Sequence, residues 1–205
     1  MSVLFHAPIE LTYELLPLIK TVKGRVVCVS SIAGLVALPG NAPYSAAKHA
    51  LEAYCDSLRI EMRPWGVKVV LVEPSAMKTP MVEAAAADLK RTYRDARPDR
   101  QEQYGEEWLE VNYQKRKAVS TSSMIEDPNI VVRDLMDALL LSNPPSRILS
   151  GRVARFLFKP ISMLPCSIRD GVLYHALMGG TPKALLQKDT AAMKKKNDPD
   201  AKNTR

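Results

Sequence analysis

Two short and almost uninterrupted apolar runs, at 25–30 and 67–73, are rich in β-branched residues. Runs of this kind are typical of parallel strands that are covered on both faces of a sheet. Between them, apolar residues recur at helical spacing and predict one long helix from Tyr44 to Arg63. A strand, a helix and a strand of these lengths form a βαβ unit, whose crossover is almost always right-handed. The pattern therefore predicts an α/β fold.

Further elements are predicted on both sides of this unit. Apolar spacing predicts a helix over 7–20, which Pro17 is expected to end or kink because proline lacks an N–H. A helix is also predicted over 127–141, with Asp127 as its N-cap and Pro128 in its first turn. Arg147–Ser150 is predicted to be a short last strand.

The segment from Ser75 to about Ser123 is irregular in pattern and heavily charged. An insertion that follows the carboxyl end of a strand is where α/β folds place substrate lids, so we expect a lid or substrate region here. Only two helical patterns are visible within it, at 83–89 and 101–116.

Composition and charge fit one globular domain with a basic tail. The chain has 205 residues, 46% hydrophobic and 25% charged, with a net charge of +7. Residues 183–205 hold seven Lys/Arg against three Asp, so +4 of this excess lies in a polar segment that we predict to be disordered. We therefore expect a folded domain over 1–182 and no nucleic-acid partner.

Cysteine usage and hydropathy bear on the compartment. The three cysteines (Cys28, Cys55 and Cys166) lack C-x-x-C spacing, and the three histidines are scattered, which predicts free thiols and no metal site. No apolar run reaches 18 residues and the start does not resemble a signal peptide, so we expect an intracellular protein, cytoplasmic or on a membrane face.

The apolar segment from Val153 to Pro165 contains interspersed basic residues and has two interpretations. It is a core helix broken by Pro160, which we favour, or an interfacial segment that dips into a bilayer.

Tyr44 and Lys48 are the residues that suggest chemistry. They are four residues apart at the start of the predicted long helix, and therefore share one face of it. A phenol is a poor base at neutral pH, and a neighbouring ammonium favours the phenolate. Ser31 ends the preceding strand, where its hydroxyl could hold the oxygen of an alcohol or carbonyl group. Y-x-x-x-K alone is a weak signal, but this strand, loop and helix context makes it specific.

Three stretches, GRVVCVSSIAG, PYSAAKHALEAYCDSLRIEM and GVKVVLVEPSAMKT, resemble the core signature of the short-chain dehydrogenase/reductase family. The resemblance runs from about Met1 to Gly151 and is nearest to the retinol, hydroxysteroid and 3-hydroxybutyrate dehydrogenase branch. It implies that Ser31, Tyr44 and Lys48 are catalytic. The family places its serine thirteen residues before the tyrosine, which selects Ser31 over Ser30.

The resemblance also implies binding roles. The cofactor would be NAD or NADP. Its contacts would be Tyr44, Lys48 and the segment Pro74–Thr79, namely Pro74, Ser75, Ala76, Met77 and Thr79. Ser75 replaces the glycine of the family's P-G-x-x-x-T motif, which leaves the local backbone turn open to question. The substrate contacts would be Ser31, Val36, Asn41 and Tyr44.

The chain lacks the family's front end. None of its nine glycines forms the family's T-G-x-x-x-G-x-G turn, which holds the cofactor pyrophosphate. Leu4 stands where the family has a catalytic asparagine. We therefore expect the C-terminal portion of a Rossmann-like, doubly wound parallel sheet, without its first strands. One edge of that sheet would be uncovered, so we expect a chain that is unstable alone or is completed by a partner.

Two function classes follow. The first is an NAD(P)-dependent oxidoreductase that interconverts an alcohol with a ketone or aldehyde on a steroid, retinoid or hydroxy-acid-like substrate; this chain would be a truncated form with weak or no activity. The second is a non-catalytic short form that acts as a dimerisation or regulatory partner of full-length subunits, or a protein of the membrane surface. In this family the long helix that bears the tyrosine and the helix before it often form the dimer interface, which implies a homo- or heterodimer through the helix of Tyr44.

Overall fold

The computed structural model describes residues 1–187, and the rest of the predicted basic tail lies outside the described residues. The chain divides into two compact units. The first comprises Met1–Thr79 and Ser123–Leu173, and the second comprises Pro80–Ser122 and the chain from Tyr174 onward.

The first unit contains a parallel sheet of three strands, β1 (Arg25–Val29), β2 (Lys68–Pro74) and β3 (Arg147–Ser150), in the order β1-β2-β3. The three predicted strands are thus confirmed to within a residue at each end. The central strand β2 is buried over almost its whole length, as its unbroken run of Val and Leu predicts. The described residues contain these α-helices: α1 (Ala7–Thr21), α2 (Ala42–Met62), α3 (Pro80–Arg94), α4 (Pro98–Tyr104), α5 (Glu106–Ser120), α6 (Asn129–Leu140), α7 (Lys159–Ser162) and α8 (Cys166–Leu177).

Helices cover both faces of the sheet. On one face α2 supplies four of the nine buried residues of a core cluster that it forms with β1 and β2, and Leu16 and Ile19 of α1 pack against this cluster. On the other face Ala138 of α6 packs against Val70, Val72 and Ile148. A carboxylate oxygen of Asp127 accepts a hydrogen bond of 2.8 Å from the Asn129 N–H, so Asp127 caps α6 as predicted. The α/β class, with a Rossmann-like parallel sheet, is confirmed.

The strand β1 forms one edge of this sheet among the described residues. The Ser30 N–H donates to the Val72 carbonyl (2.7 Å), and the Gly24 carbonyl accepts from the Lys68 N–H (3.1 Å). Because successive residues of a parallel strand bond to opposite sides, the backbone groups of Arg25, Val27 and Val29 are directed at the open edge. Among residues 1–187, β1 is therefore an edge strand of the sheet.

Pro17 does not end α1, so this part of the expectation is wrong: the helix continues through it to Thr21. A proline removes only its own N–H from the helix ladder, and Leu16 and Ile19 on either side of it are held against the core. Packing against the core therefore outweighs the loss of one helix hydrogen bond at Pro17.

The segment 75–123 is also more regular than its charge pattern predicts. It folds largely into α3, α4 and α5, which are separated by residues 95–97 and by Gly105 at a positive φ of 79°. Polar contacts hold these helices: Lys90 Nζ lies 3.0 Å from a Glu110 carboxylate oxygen and 3.7 Å from the centre of the Tyr113 ring. Such pairs stabilise polar helices without a strong apolar period.

The favoured interpretation of Val153–Pro165 as a core helix is wrong. Ala154 is buried, but Phe156 is 77% exposed and Met163 is 76% exposed. A π-helical turn at Ala154–Phe158 leads into the short α7, where Pro160 occupies the first turn and breaks nothing. Among residues 1–187, no helix combines the length and mean hydropathy that crossing a bilayer requires.

A buried ionic cluster joins α2 to the sheet. The Arg147 guanidinium donates to Glu52 (2.8 Å), to Asp56 (2.7 Å) and to Glu73. The side chains of Glu52 and Glu73 are only 6% and 1% exposed. Burial and the nearby Glu52 charge outweigh the pull of Arg147 and raise the pKa of Glu73 to about 7. One guanidinium therefore serves two buried carboxyl groups, and one of them retains a proton near neutral pH.

This cluster predicts a pH-dependent stability. The pKa of Glu73 rises from its ordinary 4.5 to about 7 in the folded chain, so between these values the folded state holds more protons than the unfolded one. The free energy of unfolding should therefore fall as pH rises from 4.5 to 7, by about 1–3 kcal/mol. Urea unfolding of Glu73→Gln should show a free energy of unfolding that depends less on pH over this window.

Asp56→Asn is the matched control, because Asp56 contacts the same guanidinium but is 43% exposed. A Glu73→Gln profile as steep as that of the unmodified chain would contradict the assignment.

Candidate active site

The two serines that follow β1 have different environments. The Ser30 hydroxyl donates a buried hydrogen bond of 2.7 Å to Glu52. Ser31 is half-buried, and its oxygen accepts a hydrogen bond of 3.1 Å from the Ala33 N–H at the start of a 3₁₀ turn. Within the described residues the Ser31 hydroxyl proton is not engaged, whereas that of Ser30 is committed to Glu52. Of the two, Ser31 is free to donate to another oxygen.

Tyr44 and Lys48 lie together on the first turns of α2. Asn41 occupies the N-cap position, although its side chain makes no capping hydrogen bond, and Pro43 lies in the first turn. The Lys48 Nζ lies 5.8 Å from the centre of the Tyr44 ring, near the outer limit of a cation–π contact. One turn of helix between the two residues therefore places the ammonium beside the phenol.

The Lys48 ammonium lies at the open edge of the sheet. Its Nζ donates to the Val29 carbonyl at 2.9 Å, which is one of the backbone groups that β2 does not satisfy. Burial lowers the pKa of Lys48, and the opposite charges that Cys28 and Glu52 can carry act against this effect. The Lys48 side chain is thus held by β1, which ends immediately before Ser30 and Ser31.

The remaining predicted substrate contacts differ in exposure. Val36 is 0% exposed, so it offers no surface to a substrate and supports the loop from within. Asn41 is exposed. Next to it, Leu38, Pro39, Gly40, Ala42 and His49 line an open, mostly apolar depression of about 420 Å³.

The segment Pro74–Thr79 follows the carboxyl end of β2 and is held by Glu126. The Ser75 hydroxyl donates to a Glu126 carboxylate oxygen (2.9 Å), and the same carboxylate accepts from the N–H groups of Arg152 (2.9 Å) and Val153 (3.2 Å). Although burial raises the pKa of Glu126, these hydrogen bonds outweigh it and keep the pKa below its usual range. The Glu126 carboxylate therefore favours its charged form and holds the segment Pro74–Thr79 in place through its hydrogen bonds.

The open question about the turn at Ser75 is settled by this geometry. Ser75 does not adopt a positive φ, so a side chain at this position causes no backbone strain. Its N–H donates to the Ser150 carbonyl at 3.1 Å, and Met77 pairs with Glu126 as an isolated bridge. The Ser75 side chain thus adds a hydrogen bond to Glu126 at the position where the family motif has a glycine.

The sequence interpretation missed Glu52, Glu73, Glu126 and Arg147. A signal for one of them was present, because Glu73 follows five apolar residues in a strand predicted to be buried, and a buried carboxyl group requires a partner. The partner itself could not be found, since Arg147 is 74 residues away in the chain. Within the described residues, no group of three or more His, Cys, Asp or Glu is arranged to hold a metal ion.

The fold and this site define a parallel α/β protein with a Ser–Tyr–Lys set at the carboxyl end of an edge strand. Residues 1–90 match the family pattern of the short chain dehydrogenases. The chain belongs to the short-chain dehydrogenase/reductase family, in the branch of the retinol and hydroxysteroid dehydrogenases.

Relatives support this membership. Retinol dehydrogenase 5 from Mus musculus is 36% identical over 177 residues, which is 84% of this chain and 55% of that protein. 17-beta-hydroxysteroid dehydrogenase type 6 from Bos taurus is 35% identical over 169 residues, or 80% of this chain and 52% of that protein. The chain thus spans about half the length of the curated relatives it matches.

Solved structures support the fold. A short chain dehydrogenase from Burkholderia cenocepacia, in complex with NADP, has a TM-score of 0.57 at 19% identity, over 86% of this chain and 57% of that one. A short-chain dehydrogenase from Streptomyces avermitilis has a TM-score of 0.55 at 23% identity, over 93% of this chain and 59% of that one.

The turn after Ser31 makes a prediction about Gly34. A Cβ atom there would lie 2.8 Å from the Ser30 hydroxyl and collide with the Glu52 carboxylate. Gly34→Ala should therefore lower the free energy of unfolding by about 1–3 kcal/mol. Gly171→Ala is the control, because nothing lies within 4 Å of that position in α8. Helix propensity predicts that this control gains about 0.5–1 kcal/mol. Equal urea midpoints for the two variants would refute the close approach at Gly34.

Proposed function

We propose that this chain carries the proton-transfer set of an NAD(P)-dependent dehydrogenase/reductase that interconverts an alcohol with a ketone or aldehyde. The observation that carries the proposal is the placement of Tyr44 beside the Lys48 ammonium, on the helix that follows the Ser31 loop. Paired phenol and ammonium groups next to a free serine hydroxyl suit proton exchange with an oxygen atom.

Each residue has a distinct part in this proposal. Ser31 donates its hydroxyl proton to the substrate oxygen and holds it in place, since that proton has no other acceptor among the described residues. Tyr44 gives a proton to the oxygen in reduction and takes it back in oxidation. Lys48 stabilises the phenolate form by its charge, while the Val29 carbonyl keeps the ammonium in position.

The residues present fit the nicotinamide end of a dinucleotide. An ammonium group has three donors, and the Val29 carbonyl uses one of those on Lys48, so others remain for ribose hydroxyls. Pro74, Ser75, Ala76, Met77 and Thr79 would lie against the nicotinamide, in a segment fixed by Glu126. When bound, NAD or NADP supplies or accepts the hydride. The chain has no Gly-rich turn for the pyrophosphate, so we propose that its own affinity for the dinucleotide is weak.

We further propose an apolar substrate of the steroid or retinoid kind, or a hydroxy acid. The names of the mouse and bovine relatives support the first two classes. The apolar depression beside Asn41 also supports them.

The proposal predicts the effect of removing one hydroxyl group. We would join this chain to the part of mouse retinol dehydrogenase 5 that it does not span, and measure NADH-dependent reduction of retinal. Tyr44→Phe should lower kcat by about 10²–10⁴-fold with little change in NADH binding. Tyr54→Phe on the same helix is the matched control and should remain active.

Two results would contradict the proposal. The first is a Tyr44→Phe chimera that binds NADH and retains full activity. The second is tight, low-micromolar NADH binding by the 205-residue chain alone, which would overturn the weak affinity proposed for it.

A second candidate function is pairing with another subunit, as a dimerisation or regulatory partner. The family-based expectation places this contact on the helix of Tyr44 and the helix before it, and of these two helices α1 carries most of the exposed apolar side chains. Leu11, Leu18 and Val22 are 62%, 67% and 75% exposed, and their spacing places them on one stripe of α1 and its C-cap. Ile60 of α2 adds a further exposed apolar group at 72%. We propose that this stripe pairs with a second copy of the chain.

The dimer proposal predicts a monomer for Leu18→Glu. A charge at the centre of an apolar contact opposes association because it must be desolvated, so the apparent mass in solution should fall to that of one chain. Met81→Glu is the control, since Met81 is similarly exposed (76%) but lies on α3. A monomeric unmodified chain, or a Leu18→Glu variant that still dimerises, would rule out this surface; light scattering after size exclusion measures both.

Association with a membrane surface is supported by one patch only. The exposed Phe156 and Met163 lie near Arg152, Arg155 and Lys159 in the chain, a composition typical of interfacial segments. This patch would bring the chain into contact with a membrane surface, whichever of the two functions above it performs.

A further inference from the structure

The outer side of β1 carries a row of backbone groups that no strand of the described residues pairs with. Arg25, Val27 and Val29 direct their N–H and carbonyl groups to this side, because β2 bonds to the alternate residues. Within residues 1–187 the sheet has the order β1-β2-β3, so no further strand lies beside β1. An exposed row of this kind is a template for a strand from another chain.

An apolar groove of about 510 Å³ lies beside this outer row. β1 forms one side of the groove, and Leu11, Leu15 and Ile19 of α1 line the other. Leu11 and Leu15 are 62% and 42% exposed, so this wall is open to solvent. An extended segment laid along β1 would pair with the outer row and cover the apolar wall at the same time.

The combination of an unpaired backbone row with an apolar wall defines the chemistry of the occupant. A helix bonds its own backbone groups and would leave those of β1 unpaired, whereas a polar loop would leave the groove wall uncovered. A β-strand with apolar side chains meets both requirements. The three strands of the sheet are all parallel, and purely parallel sheets are over-represented, so the added strand would run parallel to β1.

The relatives indicate a source for such a strand. Because the chain spans about half the length of the relatives it matches, nearly as much polypeptide again lies outside the match in those proteins. A strand of about five or six residues is enough to pair along β1. A chain that carries the unmatched part is therefore long enough to supply it.

We propose that the outer row of β1 and the groove beside it bind a parallel, apolar β-strand in trans, from a chain that carries the part of a related dehydrogenase that this chain does not span. The surface differs from the α1 stripe proposed for a second copy, because Leu18 and Val22 of that stripe do not line the groove. Binding here needs only backbone pairing and apolar contact, so it does not rest on the proposed proton transfer.

Amide hydrogen exchange resolved by residue tests this proposal. The full chain is produced alone and together with the part of mouse retinol dehydrogenase 5 that it does not span, and the complex is purified through a tag on that partner. In the complex, exchange at the Val27 and Val29 N–H groups should slow by at least about tenfold, because pairing protects them. Val26 and Cys28 are internal controls whose exchange should change less, since their N–H groups already bond to β2.

Three outcomes would overturn the proposal. The first is that the two chains do not co-purify. The second is that they co-purify while Val27 and Val29 exchange as fast as in the chain alone, which would place the partner elsewhere. The third is that these two amides are already protected in the chain alone, at concentrations where it dimerises, which would identify a second copy as the occupant.

Two variants with matched controls test the outer row and the groove separately. Val29→Pro removes one outer N–H but no bond to β2, so partner binding should weaken by about tenfold or more, whereas Val29→Thr keeps the N–H and should bind normally. Leu15→Glu places a charge in the groove wall and should weaken binding by a similar factor, whereas Leu18→Glu lies outside the groove and should not.

The urea midpoint of each variant shows whether the chain itself still folds. If Val29→Pro lowers that midpoint, the comparison of Leu15→Glu with Leu18→Glu decides alone. Normal partner binding by folded Val29→Pro and Leu15→Glu chains would contradict docking at this edge.

Discussion

The structure of the first unit depends on a single guanidinium group. Arg147 begins β3 and binds Glu52 and Asp56 of α2 together with Glu73 of β2, so it fixes the long helix against two strands at once. Removing one partner of a buried ion pair typically costs about 3–5 kcal/mol, because the other charge stays buried. Ser30 hydrogen-bonds to the same Glu52, so the turn that presents Ser31 is attached to this cluster as well.

This arrangement explains why the two adjacent serines differ. Ser30 is part of the support, with its proton committed to a buried carboxylate. Ser31 is not bonded to this carboxylate, and its side-chain oxygen accepts a hydrogen bond from the Ala33 N–H in the 3₁₀ turn. Lys48 is likewise both a member of the proposed proton-transfer set and a hydrogen-bond donor to the Val29 carbonyl of β1. The proposed chemistry and the packing of this chain therefore share the side chain of Lys48. A substitution at Ser30 would disturb the buried cluster, whereas one at Ser31 would affect the proposed contact with the substrate oxygen.

The fold was largely predictable from local pattern, because buried parallel strands and the α2 stripe carry strong periodic signals. The placement of Lys48 beside Tyr44 was predictable from spacing, since one helical turn separates them. Arg147 and Glu126 were not, because their partners are distant in the chain and no local pattern joins them. An end of α1 at Pro17 and a core helix over Val153–Pro165 were both suggested by local composition, but tertiary packing decided otherwise.

The bond from Lys48 to Val29 has a geometric consequence for the free side of β1. Arg25, Val27 and Val29 each direct one N–H and one carbonyl to that side, and the lysine occupies the last of these carbonyls. Five backbone groups are left for pairing with a further parallel strand. Such a strand would compete with Lys48 for the Val29 carbonyl, so the lysine limits how far the pairing can extend toward the serines.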